Sequence, residues 1–315
     1  MSFMRHPPWA SPANPPSTPS DIIGSMTRQP FPPRSLAIAR HPTMEGAEEL
    51  AVELGVYFSE RNLTVAQASL YDDDLRRRVQ AGEFEIVIAL GGDGTMLRAG
   101  HLCAPLGVPI LGINLGRLGF LIEVKGDDWR PAIDRVLAAD YWLEPRMMLS
   151  AQQLREGVPL GGWDVLNECV VGRGAIVRPV HLTAEIDGRH LTTYVADALI
   201  VATATGSTAY ALAAGGPILP PQLRNILLVP VAPHLSVDRA IVLDEGSWVR
   251  VTVRTDHQAS LSIDGQAPLK LEDGDQVDVR AGKHTTLFVR LQDPGYFYRN
   301  LTWGIHRNPS PGLRG

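Results

Sequence analysis

The chain has 315 residues, of which 44% are hydrophobic and 20% are charged, a composition typical of a soluble globular protein with a sizeable core. Its formal net charge of −5 argues against nucleic acid or an anionic membrane as a partner, because no global positive field would attract either. Two distant cysteines and no apolar run near ~18 residues disfavour a disulfide framework, a zinc site or a membrane span, and predict a cytoplasmic protein.

The first 33 residues differ from the rest of the chain. They hold nine of the 25 prolines and show no regular hydrophobic period. This composition predicts a disordered arm over residues 1–33, because such a segment cannot bury enough apolar surface to offset the entropy lost on folding.

Strands alternate with helices over residues 34–140. The predicted strands are SLAIAR, LTVAQAS, FEIVIAL and VPILGIN. The predicted helices are TMEGAEELAVELGVYFSERN with Thr43 as its cap, DDDLRRRVQAG and DDWRPAIDRVLAAD. This alternation is typical of a parallel sheet covered by helices on both faces, so we expect a Rossmann-like α/β domain.

Residues 141–290 contain short β-rich segments separated by turn residues, including WDVLNECVV as one strand. Asp187-Gly188, Asp264-Gly265 and Asp273-Gly274 are typical of hairpin turns, and they predict a second, mostly antiparallel β domain.

Two further segments have a different character. TGSTAYALAAGG has small residues and helix formers, which predict a short helix beginning at Ser207 or Thr208. Residues 291–315 form an aromatic tail that we expect to pack back on the first domain.

The third predicted strand runs into Gly91-Gly92-Asp93-Gly94-Thr95, which indicates a sharp strand-to-helix corner. Glycine permits a left-handed backbone and lets N–H groups approach an oxyanion, and the positive end of the helix dipole lies at the same place. The corner therefore predicts a phosphate cradle. Asp93 would repel phosphate, so we expect it either to take a proton from an attacking hydroxyl or to organise Mg²⁺. A tight turn with Asp93 as a helix cap is the alternative interpretation.

Several common site signatures do not occur in the sequence. It contains no Walker A motif GxxxxGK[ST], no GxSxG and no pair of histidines at metal-ligand spacing. P-loop nucleotide chemistry, an α/β-hydrolase nucleophile and a protein-held transition metal are therefore disfavoured.

Five motifs are GGDGT, LGINLGRLGFL, LNECVV, ADALIVATATGSTAYALAAGGPILP and SIDGQ. They occur in the order found in NAD kinases, and from about Ser35 to about Trp303 the chain resembles that family. GGDGT alone is shared with diacylglycerol and sphingosine kinases, whereas TGSTAY with the Asn-Glu pair and the Asp-Gly-Gln turn is more specific. The resemblance implies a kinase that makes NADP from NAD with ATP or polyphosphate, and with Mg²⁺ carried by the donor phosphates.

The resemblance also implies roles for individual residues. Asp93 would be the general base that deprotonates the adenosine ribose 2′-hydroxyl of NAD. Asn167 and Glu168 would bind ribose or adenine, Asp197 the nicotinamide end, and Arg178 the phosphates. The full implied set of binding residues is Gly92, Gly94, Thr95, Arg98, Phe120, Asn167, Glu168, Arg178, Asp197, Thr208, Ala209, Tyr210, Ala213, Ala232 and Gln266.

Some of these residues have an ordinary structural interpretation as well. Arg98 suits a solvated surface, Phe120 suits a core, the Asn167-Glu168 pair suits a solvated turn, and Thr208 suits a helix cap. Asp197 follows an apolar strand and is expected to be buried, and a buried acid needs a partner.

The chain departs from the family pattern at five places. They are Gly172-Arg173-Gly174, Asp197-Ala198, Thr203-Ala204-Thr205, Ala213 and Val195. These changes remove one hydroxyl and one cation from the expected site but leave Asp93 in place. Two alternative functions therefore stay open: a lipid or other small-molecule kinase, and a non-catalytic NADP(H)-binding sensor. The resemblance further implies a homodimer or homotetramer built through the β domain, in which one protomer completes another's NAD pocket.

Overall fold

A computed structural model describes residues 29–116, 119–234, 237–299 and 301. Residues 1–28 of the predicted arm and residues 302–315 of the predicted tail therefore lie outside the described residues. Within these ranges, no helix has the length and apolar character needed to cross a membrane.

The helices and strands of the described residues are as follows. The helices are α1 (Ala47–Ser59), α2 (Asp73–Gln80), α3 (Asp93–Cys103), α4 (Trp129–Leu137) and α5 (Tyr210–Ala213). The strands of the first half are β1 (Ser35–Arg40), β2 (Thr64–Ser69), β3 (Ile86–Gly91), β4 (Ile110–Asn114) and β5 (Val124–Lys125). Those of the second half are β6 (Trp142–Arg155), β7 (Val158–Val165), β8 (Glu168–Arg173), β9 (Val180–Ile186), β10 (Arg189–Ala196), β11 (Ala198–Thr203), β12 (Asn225–Val231), β13 (Ile241–Asp244), β14 (Trp248–Arg254), β15 (Ala259–Ile263), β16 (Leu269–Leu271) and β17 (Gln276–Arg290).

The first half of the chain folds as the predicted parallel α/β unit. Its strands lie in the order β2-β1-β3-β4, all parallel, and every residue of β3 is buried. Helices α1 and α4 cover one face of this sheet, and α2 and α3 cover the other. Burial on both faces explains why the strands read as continuous apolar runs.

Helix α1 begins later than predicted. Gly46 is its N-cap, with a left-handed φ of 75°, and among the described residues no side chain caps the helix. Thr43 is therefore not the cap. It lies in the preceding turn, where its N–H donates to His41 Nδ1 over 3.3 Å.

The second half of the chain is mostly antiparallel, as predicted. A six-stranded antiparallel sheet has the order β13-β12-β11-β8-β15-β16. It packs face to face against β6, β7, β9, β10, β14 and β17 of the larger sheet, and the two inner faces share one apolar core. This arrangement is a β-sandwich.

Strand β17 joins the two halves. Its final residues, Thr285–Arg290, pair with the start of β6, and Phe288 lies opposite Ile110 of β4. The larger sheet thus continues from the parallel strands into the antiparallel ones. The domain limits at residues 34, 141 and 291 stay predictions within this continuous sheet. Beyond β17, Leu291 packs against the core between the sheet, α1 and α4.

Three local predictions were wrong. WDVLNECVV is not one strand, because Leu166 and Asn167 separate β7 from β8. Asp273-Gly274 does not close a hairpin: it leads from β16 in one sheet to β17 in the other. The short helix predicted within TGSTAYALAAGG is present as α5, but it begins at Tyr210 rather than at Ser207 or Thr208, because Ala209 breaks the helical backbone after a 3₁₀ turn at Gly206–Thr208.

Candidate active site

The glycine-rich corner forms between β3 and α3, with Gly92 as the N-cap of the helix. None of Gly91, Gly92 and Gly94 has a left-handed backbone, so that part of the prediction was wrong. Space explains the glycines instead. A Cβ on Gly91 would overlap the side chain of Thr95, whereas Cβ atoms on Gly92 and Gly94 would meet no atom of the described residues within 4 Å. Open space therefore lies beside Gly92 and Gly94 at the start of α3, where an anion could approach the positive end of the helix.

The carboxylate of Asp93 points to another loop rather than capping its own helix. Its Oδ2 accepts the N–H of Phe120 at 2.9 Å, and its Oδ1 accepts the N–H of Leu121 at 3.2 Å. We call Gly119–Leu121 the capping loop. A Cβ on Gly119 would overlap the Asp93 carboxylate, so the loop can approach this closely only because residue 119 is glycine. The interpretation of Asp93 as a helix cap is thus wrong.

Burial raises the pKa of Asp93 above the ordinary range of an aspartate. The two N–H donors of the capping loop oppose this rise, and so do the positive charges of Arg290 and Arg146. A carboxylate with a raised pKa is a stronger base than an exposed one, which suits a group that must take a proton from a hydroxyl.

A single buried carboxylate shapes the turn that carries Asn167 and Glu168. Asp264, whose side chain is 1% exposed, accepts the N–H groups of Leu166, Asn167 and Glu168 at 2.8, 2.7 and 2.9 Å. Its Oδ2 also lies 2.7 Å from Nε2 of His101. Because His101 lies two turns after Asp93 in α3, Asp264 ties this turn to the helix that carries the candidate base.

In the part of the chain that the structure describes, seven buried side-chain polar atoms have no hydrogen-bond partner, and three of the seven belong to predicted site residues. These three are Oγ1 of Thr95, Oδ1 of Asn167 and Oε2 of Glu168. Leaving such atoms unpaired costs stability, and the cost is commonly tolerated where a ligand completes the bonding. Asn167 and Glu168 therefore each have one side-chain oxygen free to form the predicted contacts with a ligand.

Glu168 is also electrostatically unusual. Burial, together with the nearby charge of Asp264, raises the pKa of Glu168 to about 8, although the Tyr210 N–H bonds to the carboxyl group and opposes the rise. At neutral pH this carboxyl holds its proton for most of the time, so it can donate a hydrogen bond as well as accept one.

The segment Thr205–Tyr210, which we call the small-residue turn, packs directly on the Asn167 backbone. Gly206 faces it so closely that a Cβ would lie 2.5 Å from the carbonyl carbon of Asn167. Within the turn the hydroxyl of Thr208 donates to the Thr205 carbonyl at 3.1 Å, and the Tyr210 side chain is 43% exposed. The structure thus brings together the predicted residues Asn167, Glu168, Thr208, Ala209 and Tyr210.

Asp197 and Ala232 lie elsewhere. Glu168 is opposite Ala202 in the β8–β11 pair, and Gly172 is opposite Ala198. Four residues of strand separate these positions, so Asp197 lies roughly 13 Å or more along the sheet from Glu168. Ala232 joins Asp197 at this end, because the Asp197 N–H donates to the carbonyl of the preceding residue, Val231.

The expectation that Asp197 is buried was wrong. Its side chain is 37% exposed, and Oδ1 is paired with Nε of Arg173 at 3.1 Å. The family pattern at residues 172–174 is His-Arg-Gly, so the departure there is Gly172, whereas Arg173 keeps the pattern and supplies a cation beside Asp197.

The remaining predicted residues are exposed at the surface or half-buried. Arg98 is exposed, with its guanidinium carbon 5.4 Å from the ring centroid of Tyr71. Arg178 is 66% exposed, and Gln266 and Ala213 are also exposed. Phe120 is half-buried in the capping loop. The ligand contacts of these residues stay predictions.

No pattern in the sequence indicated a buried group of charged and polar residues whose arginines act electrostatically on Asp93. Glu144, Arg146, Arg290 and Tyr296 are buried together, and we call them the Glu144 cluster. Arg146 and Arg290 both bond to Oε2 of Glu144 at 2.7 Å. Glu144 and Arg290 are 146 residues apart in the chain, so no local pattern could have predicted their contact.

Two family models match the chain. The ATP-NAD kinase N-terminal domain matches residues 37–141, and the ATP-NAD kinase C-terminal domain matches residues 166–291. Curated relatives called NAD kinase include one from Dehalococcoides mccartyi, which is 36% identical over 277 residues and is matched over 87% of this chain and 97% of its own length. Another, from Chloroflexus aggregans, is 38% identical over 274 residues, and the match covers 87% of this chain and 99% of the relative.

Two solved structures have the same fold. Yeast NADH kinase complexed with NADH gives a TM-score of 0.74 at 24% identity, covering 90% of this chain and 91% of the yeast chain. An NAD kinase from Archaeoglobus fulgidus in complex with ATP gives a TM-score of 0.69 at 23% identity, covering 86% of this chain and 98% of the archaeal chain. At these identities the likeness shows a shared fold.

Proposed function

The chain belongs to the NAD kinase family, and from this premise we propose that it phosphorylates the adenosine ribose 2′-hydroxyl of NAD, giving NADP, with ATP as the donor. The observation that carries the proposal is the placement of Asp93, a half-buried carboxylate of raised pKa beside the open start of α3. Through His101 and Asp264, the same helix is tied to a turn whose Asn167 and Glu168 have free polar atoms.

Each group has a role in the proposed reaction. Asp93 accepts the proton of the 2′-hydroxyl, and the oxygen then attacks the γ-phosphorus of ATP. The bond from that phosphorus to the β–γ bridging oxygen breaks, and ADP leaves. The space over Gly92 and Gly94 receives the transferred phosphoryl group, where the N–H groups and dipole of α3 offset its charge. Asn167 and Glu168 bind the ribose or base through their free atoms, and Tyr210 offers a ring for stacking.

Mg²⁺ enters the proposal as an ion carried by the donor phosphates, where it neutralises charge on the transferring group. Over the described ranges, no three His, Cys, Asp or Glu side chains are placed to hold a metal ion together. Polyphosphate is the alternative donor, because the open corner at Gly92 and Gly94 would suit a terminal phosphate whatever group that phosphate is attached to.

We also propose that Asp197, Arg173 and Ala232 serve the NAD pocket of a second copy of the chain in a homodimer or homotetramer. Their distance along β11 from Glu168 and the exposure of Asp197 support this role. A reducing, cytoplasmic location would suit Cys103 and Cys169, which are both buried as free thiols.

The test is direct. The purified protein is incubated with NAD, ATP and Mg²⁺, and an NADP-specific dehydrogenase detects the product. We expect NADP to accumulate in proportion to enzyme and time. If a preparation that binds NAD forms no NADP, the kinase proposal fails in favour of a non-catalytic sensor; ATP consumption with a lipid but not with NAD would favour the other alternative.

A further inference from the structure

Both carboxylate oxygens of Glu144 accept hydrogen bonds from neighbouring side chains. Oε2 of Glu144 accepts hydrogen bonds from Nη2 of Arg146, Nε of Arg290 and the hydroxyl of Tyr296, at 2.7, 2.7 and 3.1 Å. Its Oε1 accepts Nε2 of Gln222 at 2.9 Å. Glu144 therefore fixes the direction of both guanidinium groups.

Each arginine then reaches one side of the candidate active site. Nη1 of Arg290 donates to the carbonyl of Leu121 at 2.8 Å, and the N–H of that same residue donates to Asp93. Nη1 of Arg146 lies 3.2 Å from the hydroxyl of Thr205, the first residue of the small-residue turn. One buried carboxylate thus connects the capping loop of the base with the turn that packs on Asn167.

Stability alone does not explain this arrangement. Buried ion pairs contribute little net stability, because removing the charges from water costs as much as their attraction returns. The cluster is also incompletely bonded, since Nη2 of Arg290 and Nε of Arg146 have no hydrogen-bond partner among the described residues. Such unpaired groups are unfavourable, so a function in positioning explains the cluster better than a function in stability.

The electrostatic effect points the same way. The charges of Arg290 and Arg146 lower the pKa of Asp93, against the rise caused by burial. The other ionisable groups near Arg290 are Glu123, Glu144 and Tyr296. Glu123 is a half-buried acid whose pKa is raised by partial burial, an effect that the charge of Arg290 opposes, and its Oε1 accepts the N–H of Leu291.

We propose that Arg290 is a positioning residue for the phosphoryl transfer proposed above: it holds the capping loop against Asp93, and Glu144 holds Arg290 in place. The inference rests on the proposed function for its kinetic readout. Arg290 touches neither substrate nor the reacting atoms; it acts through the backbone of Leu121.

Two substitutions separate the geometry from the charge. Arg290→Met removes both, and we expect kcat to fall about 100-fold, the cost of displacing a reacting group by about 1 Å. The KM for NAD should change less than about threefold, because the small-residue turn is held by the hydrogen bond from Arg146 to Thr205, which this substitution leaves in place. The acidic limb of the kcat–pH profile should move to higher pH, because Asp93 loses a neighbouring cation.

Arg290→Lys keeps the charge but cannot bridge Leu121 and Glu144 with a planar fork. We expect kcat to fall while the acidic limb stays where it is in the wild type. Arg250→Met is the matched control, because it removes a similar two-bond pair, with Asp278 at 2.6 and 2.7 Å, from β14. It should leave kcat and the pH profile unchanged.

A wild-type kcat in Arg290→Lys overturns the inference, and so does an equal loss of kcat in Arg250→Met. If Arg290→Met does not fold, Arg290→Lys decides the question alone. If the wild type makes no NADP, the proposed function has failed, and the inference is tested by NMR. The carboxyl ¹³C signal of Asp93, assigned with Asp93→Asn, should titrate at higher pH in Arg290→Met; an unmoved titration overturns the inference.

Discussion

Replacing Gly206 by alanine tests how the small-residue turn positions the Asn167 turn. In the wild type, a Cβ at this position would lie 2.5 Å from the carbonyl carbon of Asn167 and 2.9 Å from its Cα. Carbon atoms in contact normally lie about 3.5–4.0 Å apart, so the two turns must separate by about 1 Å. No side chain can rotate away to relieve the overlap, because the opposing atoms belong to the backbone.

We expect two consequences of this separation. Overpacking should lower the free energy of unfolding by about 1–3 kcal/mol. Because Asn167 and Glu168 would move relative to Tyr210 by about 1 Å, kcat/KM for NAD should fall about 100-fold. The backbone of Gly206 is not left-handed, so strain from a forbidden φ does not contribute.

The assay is steady-state formation of NADP at varied NAD, with urea unfolding of the same preparations. Gly162→Ala is the matched control, since its Cβ would have Ala151 O as its nearest described neighbour, at an ordinary 3.7 Å. That variant should retain the wild-type kcat/KM. A wild-type kcat/KM in Gly206→Ala would refute the argument that these two turns must touch for NAD to bind productively.

Two other substitutions probe the base and the buried acid. Gly119→Ala should drive the capping loop away from Asp93 and lower the single-turnover rate about 100-fold, and an unchanged rate would contradict the close approach. For Glu168, the folded pKa of about 8 lies above its ordinary 4.5, so the folded protein binds the proton more tightly than the unfolded chain. Stability relative to Glu168→Gln should therefore be greatest below pH 4.5 and fall by up to about 5 kcal/mol as the pH rises to 8. Parallel pH dependence of urea unfolding in the two proteins would contradict the raised pKa.

Much of the fold could be predicted because its signals are local. Strands such as β3, buried on both faces, are continuous apolar runs, and α2 has Asp72 at its N-cap, where the side chain accepts the N–H of Leu75 at 2.8 Å. The errors arose where a local signal had a different use. Gly46 rather than Thr43 is the N-cap of α1, and Asp273-Gly274 connects two sheets although its sequence is typical of a hairpin.

The candidate site divides in the same way. Asp93, Asn167 and Glu168 lie in motifs whose residue types already indicate their chemistry. Asp264 was predicted only as a turn residue, because the three N–H groups that it accepts come from a turn almost 100 residues earlier. The contacts of His101 and of the Glu144 cluster depend on how distant segments pack, and the sequence contains no pattern that would pair them.

Asp93→Asn tests the central claim most directly. The measurement is the single-turnover rate of NADP formation with saturating NAD, ATP and Mg²⁺, with the Kd for NAD measured on the same preparation. Asparagine keeps the shape of the side chain but cannot take the proton of the ribose hydroxyl, so the rate should fall about 10²- to 10⁴-fold while NAD still binds. A near-wild-type rate in Asp93→Asn would contradict the assignment of Asp93 as the base.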